Sequence, residues 1–117
     1  MALDDTDPSA AADGLKLNKK GTATGAALAA TLHKPAGTIT TESLATAALT
    51  DISYVVTNNK VTASSIVLAQ LSLGSNSAGS PVVLNVTPAA GSFTVVIRNA
   101  HASAALNGTL KINFAVL

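Results

Sequence analysis

Few residues in this chain are suited to act on a substrate. The two histidines are His33 and His101. His101, Asp51 and Ser103 are the residue types of a hydrolytic triad, in which a base activates a hydroxyl and an acid orients the base. Nothing in their spacing or surroundings has the form of a nucleophile motif. Structurally bonded or exposed histidines are the better reading, with His33 at a strand end beside Lys34-Pro35. Glu42 and Asp51 are the only acids after residue 20. Two carboxylates can share acid–base work, but isolated surface charges fit better, and Glu42 directly after Thr40-Thr41 reads as the cap of a short turn. Asp4, Asp5, Asp7 and Asp13 lack the Gly and terminal Glu of a calcium loop. Gly21-Thr22-Ala23-Thr24-Gly25 lacks the Lys-Ser/Thr pair of a phosphate loop. The chain has no Cys, which removes disulfides, thiolate chemistry and Cys-based zinc sites. The expectation is a non-enzyme with no catalytic residue, no metal and no cofactor.

The side chains suit packing better than reactivity. In 117 residues there are 23 Ala, 14 Thr and 11 Ser, against 29 Val, Leu and Ile and three aromatics, Tyr54, Phe93 and Phe114. The net charge is +1, and Arg98 is the only arginine. Phosphate binding needs clustered basic residues, so no nucleic-acid partner is expected. No run approaches the ~20 apolar residues of a membrane helix. The first residues are acidic where a signal peptide is basic. Neither a membrane nor a secretion signal is therefore expected.

Charge divides the chain. Residues 1–20 hold Asp4, Asp5, Asp7, Asp13, Lys16, Lys19 and Lys20, seven of the thirteen charges. With Pro8, Gly14 and no sustained period, this stretch reads as an extended or disordered arm, the alternative being a frayed terminus without a role. Residues 21–117 carry only Lys34, Glu42, Asp51, Lys60, Arg98 and Lys111. Typical domains are about 25% charged. Surfaces hidden in an assembly would explain the deficit, and so would a surface kept soluble by Thr, Ser and Asn.

Residues 51–117 alternate with period 2, the signature of strands with one buried face. Ile52, Tyr54 and Val56 form one set, and Val82, Leu84 and Val86 another. Phe93, Val95 and Ile97 form a third, and Leu110, Ile112, Phe114 and Val116 a fourth. Ile66–Leu73 is a nearly continuous apolar run, as in a strand covered on both faces. Asn58-Asn59-Lys60 and Pro88-Ala89-Ala90-Gly91 read as turns, the latter as a hairpin. Asn107-Gly108 is the strongest two-residue hairpin signal. Asn85-Val86-Thr87 and Asn107-Gly108-Thr109 also match the glycosylation pattern, but strand and turn are the better readings. Gly37–Thr41 is rich in β-branched residues and reads as a strand. Ala26–Leu32 is a strand or an Ala-rich helix, with strand favoured. Ser43–Leu49 is equally ambiguous and could hold a helical turn. The last strand reaches Leu117, an arrangement that invites pairing or packing with a neighbouring chain. The expected fold is all-β: an antiparallel, jelly-roll-like β-sandwich over 21–117, with an N-terminal arm over 1–20.

Two stretches taken together resemble a known class. One is His33-Lys34-Pro35-Ala36-Gly37-Thr38-Ile39-Thr40-Thr41-Glu42-Ser43-Leu44-Ala45-Thr46-Ala47-Ala48. The other runs from Val86-Thr87-Pro88-Ala89-Ala90-Gly91-Ser92-Phe93 through Asn99, continuing in Ala104-Ala105-Leu106-Asn107-Gly108-Thr109-Leu110-Lys111-Ile112-Asn113-Phe114. This pattern, over residues 33–117, is similar to small β-rich virion proteins of tailed bacteriophages, including those of cyanophages. The resemblance implies a structural virion role. Within that class it suggests a capsid decoration, or cement, protein bound as a homotrimer to the major capsid protein on the outside of the head. Such a chain would pass through the host cytoplasm during assembly. Asp4, Asp5, Lys16, Lys19 and Lys20 are then the expected arm contacts. The alternative within the class is a β-sandwich module of a tail fibre or baseplate that recognises the host through the loops 75–81 and 100–106.

Overall fold

Alternating β-branched and aromatic residues favour extended backbone and give each strand one apolar face. The computed structural model describes residues 20–117, which fold as eight strands with no helix. These are β1 (Gly21–Thr24), β2 (Ala29–Thr31), β3 (Ala36–Thr40), β4 (Thr50–Thr57), β5 (Val67–Leu73), β6 (Pro81–Ala89), β7 (Ser92–Asn99) and β8 (Leu110–Val116). They form two four-stranded sheets, ordered β1-β3-β8-β5 and β2-β4-β7-β6. The sheets pack face to face as a β-sandwich, as the period-2 pattern implied.

Both sheets are mixed. β1 pairs parallel to β3, and β2 parallel to β4, while every other ladder is antiparallel. The parallel pairs arise because the chain crosses from one sheet to the other between β1 and β2 and again between β2 and β3. The core lies where the inner faces meet. Tyr54, Val56, Phe93, Val95 and Ile97 come from one sheet, and Ile39, Leu110, Ile112 and Phe114 from the other. Phe93 and Phe114 touch across the interface, their ring centroids 5.1 Å apart and tilted by 54°. This tilted arrangement is favoured for aromatic pairs.

The β6–β7 hairpin turns at Ala90-Gly91, with Gly91 at φ +82°. Three other expectations need correction. First, the Val82/Leu84/Val86 set does not share a face. The β6–β7 register shifts between Val83 and Asn85, so a bulge at Leu84 reverses the phase. Val83 and Val86 pack on the core, while Val82 and Leu84 face outward. Second, β5 is not covered on both faces. It is an edge strand, and Ile66, Leu68 and Leu73 are each more than half exposed. Third, Asn107-Gly108 is not a hairpin turn. Gly108 bridges Leu44 and is not among the positive-φ residues. A Cβ there would lie 2.6 Å from Ser75 Oγ and 2.7 Å from Asn76 N, so the glycine serves close backbone approach.

The two ambiguous segments also resolve. Ala26 and Ala29 exchange backbone hydrogen bonds around Ala27 and Leu28, which sit at φ 53° and 63°. The stretch is thus a tight turn leading into the three-residue β2. Residues 43–49 hold no helical turn, and Leu44 forms an isolated bridge instead.

The bulge makes a direct prediction. Val83→Ala should cost about 1 kcal/mol for methyl groups removed from the core side, while Leu84→Ala should fall within about 0.5 kcal/mol of the parent, as exposed substitutions do. Chemical denaturation of the two variants measures the difference, and a larger loss at Leu84 would contradict the assigned phase.

Candidate functional site

Residues proposed for chemistry from the sequence alone are not brought together. Asp51 accepts a 2.8 Å bond from Arg98 Nη1 across the β4–β7 ladder. His101 Nδ1 instead accepts backbone N–H bonds from Ser103 and Ala104, at 3.0 and 2.9 Å. It therefore orders its own loop. His33 Nδ1 accepts from Asn59 N–H at 3.0 Å and orders the 58–60 turn in the same way. Among the described residues, no group of three or more His, Asp or Glu is placed to hold a metal ion. Of the expected arm contacts, Asp4, Asp5, Lys16 and Lys19 lie outside the described residues. Lys20 is exposed and borders a small cleft of about 210 Å³ with Ala36, Gly37, Thr38, Asn113 and Phe114.

Glu42 does act as a cap, but of a distant turn. Its Oε2 accepts the Leu28 N–H at 2.6 Å, and its Oε1 accepts the Tyr54 hydroxyl at 2.8 Å. Non-glycine residues in the left-handed region cost about 1–2 kcal/mol each, so the Ala27-Leu28 turn needs outside support. Glu42 supplies it from one side, and the Val55 N–H bond to the Leu28 carbonyl at 3.1 Å supplies it from the other. Partial burial pushes the Glu42 carboxyl up, but the Leu28 and Tyr54 hydrogen bonds outweigh this and hold it below the ordinary value. Burial, reinforced by the neighbouring carboxylate, raises the Tyr54 hydroxyl well above its usual range.

Buried amides fix the loops at the sandwich ends. Asn99 is fully buried. Its Oδ1 accepts from Ser80 and His101 N–H, and its Nδ2 donates to the Thr46 and Ala104 carbonyls, at 2.8–3.1 Å. It thereby ties three loops to the end of β7. Asn76 Oδ1 accepts from Asn107 N–H at 2.7 Å, and Asn107 Oδ1 accepts from Ser77 N–H at 2.7 Å. Asn58 Nδ2 donates to the Lys34 carbonyl at 2.6 Å. Thr41 Oγ1 donates to the Glu42 carbonyl and accepts the Leu110 N–H. In the sequence these roles are signalled only by Asn near the ends of apolar strands.

What remains exposed on the strands is almost uncharged. Asp51, Arg98 and Lys111 are the only charged residues on the eight strands, and the first two neutralise each other. The outer face of the β1-β3-β8-β5 sheet carries Thr22, Thr38, Asn113 and Gln70 in one cross-strand row. Thr38 Oγ1 donates to Asn113 Oδ1 at 2.9 Å, and Asn113 Nδ2 to Ser72 Oγ at 3.0 Å. The β5–β6 side of the sandwich is instead apolar, with Ile66, Leu68, Leu73, Val82 and Leu84 exposed. A neutral polar face thus lies beside an apolar margin.

Two predictions follow from the polar bonds. Glu42 has a lowered folded-state pKa, so its contribution to stability is complete above the ordinary carboxylate value and is lost as pH falls through the lower folded value. Glu42→Gln should therefore weaken the fold near neutral pH, by no more than about 1 kcal/mol because water screens a partly exposed carboxylate, and flatten its acid sensitivity, as read by denaturation at pH 3 to 7. Asn99→Ala should cost at least about 2 kcal/mol, because it leaves buried backbone groups unpaired. Hydrogen exchange should then quicken in the 44–49 and 100–106 loops, while the β4–β7 ladder stays protected.

Comparison with protein-family models, curated proteins and solved structures finds no match to this chain.

Proposed function

We propose that this chain is a structural protein of a tailed-bacteriophage virion, a capsid decoration protein that binds the outside of the assembled head. The observation that carries the reading is the charge-poor outer surface of the sandwich, with Asp51 and Arg98 paired and Lys111 the one remaining charge on the strands. Such faces lose little on dehydration and suit extensive contact with neighbouring subunits. The resemblance of residues 33–117 to small phage virion proteins supplies the biological setting. In this proposal three copies associate and bridge subunits of the major capsid protein. Binding only to the assembled lattice stabilises that lattice by mass action. Asp4, Asp5, Lys16, Lys19 and Lys20 provide the charged contacts to an adjacent subunit.

A second reading has one observation in its favour. The 75–81 and 100–106 loops meet at one end of the sandwich, as a host-binding site on a tail fibre or baseplate would require. Ser80 N–H and His101 N–H both bond to Asn99, and Ser77 N–H bonds to Asn107. Several polar groups of these loops are thus already engaged by Asn99 and Asn107. Tyr54, Phe93 and Phe114, the aromatics that would stack on a sugar, are all buried.

Imaging of the virion at residue resolution tests both readings. A decoration protein is present in hundreds of copies on the head, and an appendage module in tens or fewer, as lattice and appendage symmetry dictate (both orders of magnitude). For the decoration reading, deleting residues 1–20 should lower occupancy on expanded capsids while the sandwich keeps its circular dichroism spectrum. Undiminished occupancy would remove the role assigned to the five charged residues.

A further inference from the structure

The open edge of β5 has the features of a self-pairing surface. Two backbone bonds bracket the β5–β8 ladder: Leu117 N–H to the Ile66 carbonyl at 2.8 Å, and Gly74 N–H to the Thr109 carbonyl at 3.0 Å. Bonded and non-bonded pairs alternate along an antiparallel ladder. With Val67 opposite Val116 and Leu73 opposite Leu110, it is Leu68, Gln70 and Ser72 that bond to β8. Val67, Ala69, Leu71 and Leu73 direct their N–H and C=O groups to the other side, where no strand pairs with them among the described residues. Edge strands are commonly protected by Lys, Pro, a bulge or short length. β5 is seven residues long, with no charge, no Pro and an unbroken register.

We propose that a second copy of this chain covers this edge, β5 pairing antiparallel with β5 about a two-fold axis at Gln70. The free backbone groups select that register. Odd-numbered residues must face odd-numbered residues for bonds to form. An axis at Gln70 sets Val67 opposite Leu73 and Ala69 opposite Leu71, which uses all four free donors of each copy. An axis at Leu71 leaves Val67 unbonded. Side chains agree with the choice. Val67, Ala69 and Leu71 already pack on the core, and across the axis they meet the apolar set of the second copy, so the core continues from one sandwich to the next. On the outer face Leu68 lies opposite Ser72 of the second copy, and Gln70 opposite Gln70. No like charges meet.

The contact is isologous, the same patch on both copies, and joins the two sheets into one of eight strands. It cannot close a ring of three, so any three-fold assembly uses a different surface. The inference does not rest on the capsid reading, and purified protein suffices to test it.

At the axis the two Gln70 residues form a non-hydrogen-bonded pair, with Cα atoms about 4.5 Å apart, within disulfide range. The chain has no Cys, so Gln70→Cys introduces a single thiol. Under mild oxidation full-length Gln70→Cys should form a covalent two-chain species at least ~10-fold faster than Ser72→Cys, whose counterpart across the axis is Leu68. Ala69→Pro removes a donor that β8 does not use, a position where edge strands tolerate Pro. It should keep the circular dichroism spectrum and weaken pairing by more than ~10-fold in sedimentation, since it deletes hydrogen bonds about the axis. Cross-linking of Gln70→Cys no faster than that of Ser72→Cys would overturn the proposal. So would unchanged association of a folded Ala69→Pro.

Discussion

Scarcity of large side chains is the constraint from which the rest of this structure follows. Two facing sheets must exclude water with three aromatic residues and a modest set of Val, Leu and Ile. Phe93 and Phe114 meet across the sandwich, one from each sheet. The strands β1, β2 and β3 are short, and the connections carry small residues. Burial alone is weak there, since stabilisation scales with apolar area removed from water. Hydrogen bonds from buried side chains take over that task. Asn58, Asn76, Asn99 and Thr41 are buried, and each bonds to backbone groups of another segment. Unmet buried polar groups are costly, so these four positions hold their loops in one arrangement.

Glu42 extends the same logic to a strained turn. Ala27 and Leu28 occupy a conformation that L-residues avoid, and a carboxylate fourteen residues away secures the turn by taking the Leu28 N–H. Tyr54 orients that carboxylate from inside the core. A residue that resembles a candidate acid in the sequence is thereby committed to architecture, as is each histidine through its Nδ1. Glu42, His33 and His101 thus each accept backbone N–H groups.

Much of the architecture was legible because period 2 is local. The inward sets on β4, β7 and β8 follow directly from Tyr54, Phe93, Ile112 and their neighbours, and the Ala90-Gly91 turn from its glycine. The misreadings share one cause: the deciding partner is remote in sequence. Whether the Ile66–Leu73 run is covered depends on what pairs beside it, which its own residues do not encode. The Leu84 bulge is a property of the β6–β7 ladder. Asn107-Gly108 carries a turn signal, yet its neighbours across the fold are Ser75, Asn76 and Leu44. The Glu42–Tyr54–Leu28 network joins three segments that no spacing rule connects.

The position of β8 bears on how the molecule is made. It is the last of the eight strands to leave the ribosome, yet it lies between β3 and β5 rather than at a margin. Until it emerges, those two strands have no shared neighbour, and half of the hydrophobic interior lacks Leu110, Ile112 and Phe114. Nascent chains therefore hold an incomplete sheet until that strand has emerged, and closure of the sandwich must wait for it.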